Sequence, residues 1–121
     1  MPDWVEPVAR YMLDVGLRNT LRTAAISVVL ATSIGVVLGT LITIRFWLSR
    51  ALIRGYIEIW RGLPIIVTLF IVHFGLPALS PKLEFDVFTS GIITLTLWGS
   101  AQIAEATRGA VQSIPREQHE A

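Results

Sequence analysis

Residues whose types could do chemistry are few in this chain, and they lie far apart. His73 and His119 are the only imidazoles and there is no cysteine, so thiolate nucleophiles, disulfides and thiolate metal sites are excluded. No HExxH, GxSxG or glycine-rich phosphate loop occurs, and the carboxylates are not paired in the centre of the chain as acid–base catalysis would require. Neither a catalytic set nor a metal site is expected. What remains is a polar pattern inside apolar sequence. Trp98, Gln102, Glu105 and Gly109 fall at i, i+4, i+7 and i+11, one face of a helix, and Glu105 and Arg108 can pair at i, i+3 near its end. His73 lies deep in an apolar run, where an ionisable side chain marks a candidate pathway; a hydrogen bond to a neighbouring helix is the simpler role. His73, Trp98 and Gln102 are therefore candidates for lining a route taken by a polar solute.

The elements that must position these residues are membrane helices. With 53% hydrophobic residues and a mean hydropathy of +0.62, a chain of 121 residues cannot cover a soluble surface with polar groups. Charge balance is close to neutral, at +1, and the charges cluster between apolar runs without forming a basic patch, which argues against a nucleic-acid partner.

Residues 1–20 mix charges with Trp4, Val8, Tyr11, Met12 and Val15 and read as an external interfacial arm. Met1-Pro2-Asp3 does not open like a signal peptide, and no cleavage is expected. Span 1 covers 21–46, with 22 charge-free residues between Arg22 and Arg45. Within it Ser27, Ala31, Gly35, Gly39 and Thr43 recur every fourth residue. Five small positions in register form a stripe against which another helix backbone can approach closely.

Residues 49–77 are expected to hold a surface helix plus span 2. Arg50, Arg54, Glu58 and Arg61 share one face, with Arg54–Glu58 and Glu58–Arg61 as neighbouring pairs and Ser49 as N-cap. A helix from Pro64 that stopped at Gly75-Leu76-Pro77 would rise only about 17 Å, too short to cross about 30 Å of hydrocarbon. The preferred solution is one continuous helix bent at Pro64. A polar loop follows, in which Asp86 is placed to cap span 3, expected over 86–112 and running to about Val111 before Pro115 stops it. Residues 113–121 begin a further loop.

Basic residues in short loops set orientation. Arg45, Arg50, Arg54, Arg61, Arg108 and Arg116 lie on one side, against Arg10, Arg18, Arg22 and Lys82 on the other. This predicts an external N-terminus and a cytoplasmic C-terminus.

Three motifs in order, GLRNTLRTAAIS, YIEIWRGLPIIVTLFIVHFGLP and AEATRGAVQSIP, resemble the permease subunits of bacterial ABC importers for polar amino acids, the histidine, glutamine and arginine permease family. The residues carrying the resemblance are Arg61, Gly62, Pro64, Gly75, Pro77, Glu105, Arg108 and Gly109. His73 departs from it, since that position is commonly tyrosine. The resemblance implies an all-α integral membrane protein of the bacterial inner membrane, three transmembrane helices of an incomplete five-helix core. It further implies a second permease subunit, homo- or heteromeric, separate ATPase subunits, a soluble substrate-binding protein and a polar amino acid as cargo. The chain itself would have no cofactor and no enzymatic activity, with ATP bound by the partner. The cytoplasmic loop that docks on the ATPase begins here at Pro115, Arg116, Glu117, Gln118, His119, Glu120 and Ala121, with Glu117 where glycine is usual and the chain breaking off inside the loop's signature. A small membrane scaffold with no transport of its own is the alternative.

Overall fold

The computed structural model describes residues 2–114. Among these residues the secondary structure is entirely helical. Helix α1 runs Val5–Leu41, α2 Trp47–Gly62, α3 Ile65–Leu79 and α4 Val87–Gln112. Helices α1 and α4 are each long and apolar enough to cross a membrane, and α2 with α3 forms a pair bent by 107°, giving two candidate spans, or three if the pair counts as one.

The separate interfacial arm expected over 1–20 is replaced by the first turns of α1. Nothing between Val8 and Arg22 breaks a helix strongly enough to separate them. Pro7 lies in the first turn, where its missing N–H is not needed. Gly16 ends a π turn over Met12–Gly16, in which the Leu17 N–H reaches the Met12 carbonyl, so the chain widens and continues. At 37 residues the helix is about 55 Å long. Its charged turns, with the Arg10–Glu6 pair at 2.9 Å, extend beyond the charge-free segment.

The elbow also differs from the expected continuous bend. Leu63 (ψ 137°) is extended because a residue before proline is pushed out of the helical region, and Pro64 (ψ 142°) is extended as the N-cap of the next helix. The helix stops at Gly62, and the Pro64 carbonyl restarts it by accepting from the N–H groups of Val67 at 3.0 Å and Thr68 at 3.2 Å. Nor does α3 stop at Gly75-Leu76-Pro77. A π turn over Ile71–Gly75, with the Leu76 N–H on the Ile71 carbonyl, opens the turn ahead of Pro77, and helix resumes to Leu79. A widened turn is one way a helix tolerates an interior proline. Ser49 is not the cap of α2: Phe46 holds that position, and the Ser49 hydroxyl donates back to the Phe46 carbonyl at 3.2 Å. Asp86 does cap α4, its Oδ1 accepting from the Thr89 N–H at 3.2 Å.

The interior combines small and short polar side chains with a few isoleucines. Ile42, Ile53, Ile57 and Ala104 form its apolar cluster, with Leu38 and Tyr56 packed against it, while Thr68, Ser90, Thr94 and Ser100 are also buried. Large aliphatic side chains point outward, as at Val29, 65% exposed. Small residues inside and bulky apolar ones outside is the arrangement a bilayer favours, since lipid solvates the bulky groups and close backbone approach holds the helices together.

Candidate functional site

The small-residue stripe of α1 sets the framework. Ser27, Ala31, Gly35 and Gly39 are buried where α1 lies along α4. A Cβ at Gly35 would sit 2.6 Å from the Ile103 Cβ, and one at Gly39 2.5 Å from the Ala104 carbonyl oxygen. Glycine is therefore required at both positions by the closeness of the second helix. Thr43 falls past the end of α1 and donates its hydroxyl to the Thr40 carbonyl at 2.6 Å; Ile42 is the buried residue there.

On this framework the polar side chains of α4 meet α2 and α3. Ser100 is fully buried and donates to the Leu97 carbonyl at 3.1 Å. Its oxygen is 2.7 Å from the Tyr56 hydroxyl, and with the serine proton committed the phenol is the donor. One turn further along α2, Arg61 Nε donates to Gln102 Oε1 at 3.2 Å, in place of the expected pair with Glu58. Arg54 and Glu58 do approach, at 3.9 Å and largely exposed, which contributes little. Glu105 and Arg108 form a two-pronged pair, Nε to Oε2 at 3.1 Å and Nη2 to Oε1, and Arg108 Nη1 continues to Gln112 Oε1 at 2.6 Å. Arg61, Gln102, Glu105, Arg108 and Gln112 thus make a polar edge at one end of the bundle.

His73 lies on α3 toward the other end. Its Nδ1 and the buried Ser90 Oγ of α4 are 2.8 Å apart, and Phe74 packs edge-on to its ring. At the start of α4, hydrogen bonds from the Thr89 hydroxyl and then its backbone N–H hold the Asp86 carboxyl below the usual carboxylate range. Arg22 stacks over Phe88, 5.2 Å from the ring centroid, tying α1 to α4 at the same end.

Trp98 and Gln102 line a cleft of 320 Å³ between α1 and α4, together with Ser27, Ala31 and Ile103. Its walls are mainly apolar, and the Ser27 hydroxyl is buried without a hydrogen-bond partner among the described residues. His73 does not reach this cleft, so among the described residues the three pathway candidates do not line one common cleft.

Of the remaining motif residues, Arg61 and Gly62 end α2, Pro64 starts α3, Gly75 closes its π turn, and Pro77 follows inside the helix. A Cβ on Gly62 or Gly109 would meet nothing within 4 Å; packing within the described residues gives neither glycine a reason. Pro115, Arg116, Glu117, Gln118, His119, Glu120 and Ala121 lie outside the described residues.

Residues 31–121 match the family described as binding-protein-dependent transport system inner membrane component. The chain belongs to that family. Among curated members of related systems, the glutamine transport system permease protein GlnP of Escherichia coli (strain K12) is 32% identical over 98% of this chain and 55% of its own length. The probable glutamine ABC transporter permease protein GlnM of Bacillus subtilis (strain 168) is 36% identical over 88% of this chain and 48% of its own. A crystal structure described as an amino acid ABC transporter with histidines superposes with a TM-score of 0.64 at 29% identity, over 83% of this chain and 47% of that one. The chain spans about half the length of the curated relatives it matches. The family match covers every side-chain hydrogen bond that α2, α3 and α4 make among the described residues.

Sequence reasoning did not identify Tyr56, Ser90 or Ser100. The signal was present in α4, where Ser90, Thr94, Ala101 and Ala104 place small residues at helical spacing on a face that complements the stripe of α1.

Proposed function

We propose that this chain is a transmembrane permease subunit of an ATP-driven importer for a polar amino acid, lining the pathway and contributing no bond-making chemistry. The superposition on an amino acid ABC transporter at 29% identity carries this reading, because it is at once a likeness of sequence and of helix arrangement. The permease names of the glutamine-system relatives support the cargo class. In this reading the described helices are part of a five-helix core, a second permease subunit completes the pathway, and a soluble binding protein delivers the amino acid. ATP is bound and hydrolysed by separate subunits that dock on the loop beginning near Pro115, so the chain needs no cofactor of its own. The N-terminus lies outside and the C-terminal loop in the cytoplasm of an inner-membrane protein, following the arginine asymmetry. Packing of α1 on α4 alone would also serve a scaffold, but a scaffold gives no reason for the Arg61–Gln102 and Glu105–Arg108 contacts to gather at one end of α4.

Disruption of the gene in its host, followed by uptake of radiolabelled glutamine, histidine, arginine and glutamate, tests the assignment. Loss of one uptake activity, restored by the intact gene, is expected; unchanged uptake of all four would sink the reading. Orientation is checked separately. The native chain has no cysteine, so Ser49→Cys and Lys82→Cys report sidedness to an impermeant thiol reagent. Position 82 should label from outside and position 49 only after the membrane is opened.

A further inference from the structure

Helix α2 presents three different faces. Ile53 and Ile57 are buried in the cluster with Ile42 and Ala104, so one face is fixed against α1 and α4. About 140° around the helix to one side lie Leu48, Leu52 and Ile59, exposed at 43%, 67% and 55%. About 60° to the other side lie Arg50 and Arg54, both exposed, with Arg45 in the turn before the helix. Glu58 is the only acidic residue of α2. Phe46 and Trp47 are exposed at the helix start, as aromatic anchors are at the headgroup level. The 107° elbow turns α2 nearly perpendicular to α3, hence along the membrane plane if α3 crosses it. A helix clamped on one flank, apolar toward the hydrocarbon and basic on the opposite side matches the layering of one leaflet edge.

We propose that α2 is an anionic-lipid site, in which Arg50 and Arg54, assisted by Arg45, hold the phosphates of acidic phospholipids while Leu48, Leu52 and Ile59 enter the acyl region. Charge complementarity selects the occupant. Each arginine at a membrane surface attracts anionic lipid by about fivefold, and Glu58, beside Arg54 at 3.9 Å, offsets part of that. The inference requires only that α1, α3 and α4 cross a bilayer, whatever cargo the transporter carries.

The test uses the full chain with Trp4→Phe, Trp60→Phe and Trp98→Phe, leaving Trp47 as sole fluorophore, in phosphatidylcholine vesicles containing phosphatidylglycerol. Quenching by brominated phosphatidylglycerol is compared with quenching by brominated phosphatidylcholine at equal fraction. We expect the acidic lipid to quench as though enriched about fivefold. Salt at about 1 M, where screening acts within about 3 Å, should erase the preference. Arg50→Gln with Arg54→Gln should equalise the two lipids, while Arg50→Lys with Arg54→Lys retains the preference. Equal quenching in the arginine-bearing chain, or no quenching by either lipid, overturns the proposal. A preference unchanged by the glutamine pair also overturns it and leaves the basic strip to an acidic protein partner. If the glutamine pair loses its helical circular dichroism, the salt dependence of the arginine-bearing chain decides.

Discussion

At the scale of single residues, the contacts that orient α4 are hydrogen bonds that lipid cannot replace. Tyr56 and Ser100 share one such bond, and each loses its partner if the other is truncated. Tyr56→Phe and Ser100→Ala should each cost about 1 kcal/mol, with a coupling of about 0.6 kcal/mol in a double-mutant cycle measured by unfolding in detergent. Additive effects would show that the pair is not coupled. Asp86 gives a pH-dependent example. Its carboxyl is held below the ordinary value by Thr89, so the cap contributes fully above the unfolded value near 3.8 and is lost as pH falls through the lower folded value. Asp86→Ala should therefore lower the thermal midpoint at pH 7, and the gap to the native chain should close as the buffer is taken below the carboxylate range. Asp86→Asn, which keeps an acceptor, should lose less at pH 7. This cap could be read from sequence because capping is local: one carboxylate followed by an apolar run. Ser90 as the partner of His73 could not, because the bond joins residues 17 positions apart and depends on how α3 and α4 rotate against each other.

Among the elements, α1 and α4 form the most intimate pair. Gly35→Leu or Gly39→Leu would drive a side chain into Ile103 or the Ala104 carbonyl; overpacking of this kind costs about 1–3 kcal/mol. The pairing has a direct readout, since a Cβ at Gly99 would lie 3.0 Å from the Ala31 Cβ, so the two helices need part by only ~1 Å to reach the ~3.8 Å typical of a disulfide. Ala31→Cys with Gly99→Cys should oxidise readily in membranes, and Gly35→Leu should abolish that cross-link; a cross-link of undiminished yield would show that α1 docks elsewhere. The stripe was visible in sequence because a repeat of four is nearly the helical period. Three of the helix boundaries that differed from expectation involve π turns or proline, at Met12–Gly16, at the Pro64 elbow and at Ile71–Gly75. A π turn changes how a helix passes a glycine or proline without changing composition, so a pattern of apolar residues carries no mark of it.

For the molecule as a whole, the sequence supplied the membrane solvent and the family, through charge-free runs and three ordered motifs. It did not supply the broken elbow or the absence, among the described residues, of one common cleft for His73, Trp98 and Gln102, since both depend on relative helix placement. The elbow has a consequence for how the protein is made. Helix α3 has 15 residues from Ile65 to Leu79 and a rise of about 22 Å, less than the ~30 Å hydrocarbon core. It also carries His73 and Thr68, so α3 alone is a poor substrate for membrane insertion. Its polar groups are shielded only once Ser90 and the rest of α4 are beside it. During synthesis α3 should therefore wait at the insertion machinery until α4 has emerged, and the two should enter as a hairpin. Nascent chains arrested with α4 still inside the ribosome should leave an acceptor site near residue 82 unglycosylated in a microsomal assay, and chains extended past Gln112 should gain it. Equal modification of both would show that α3 crosses without help.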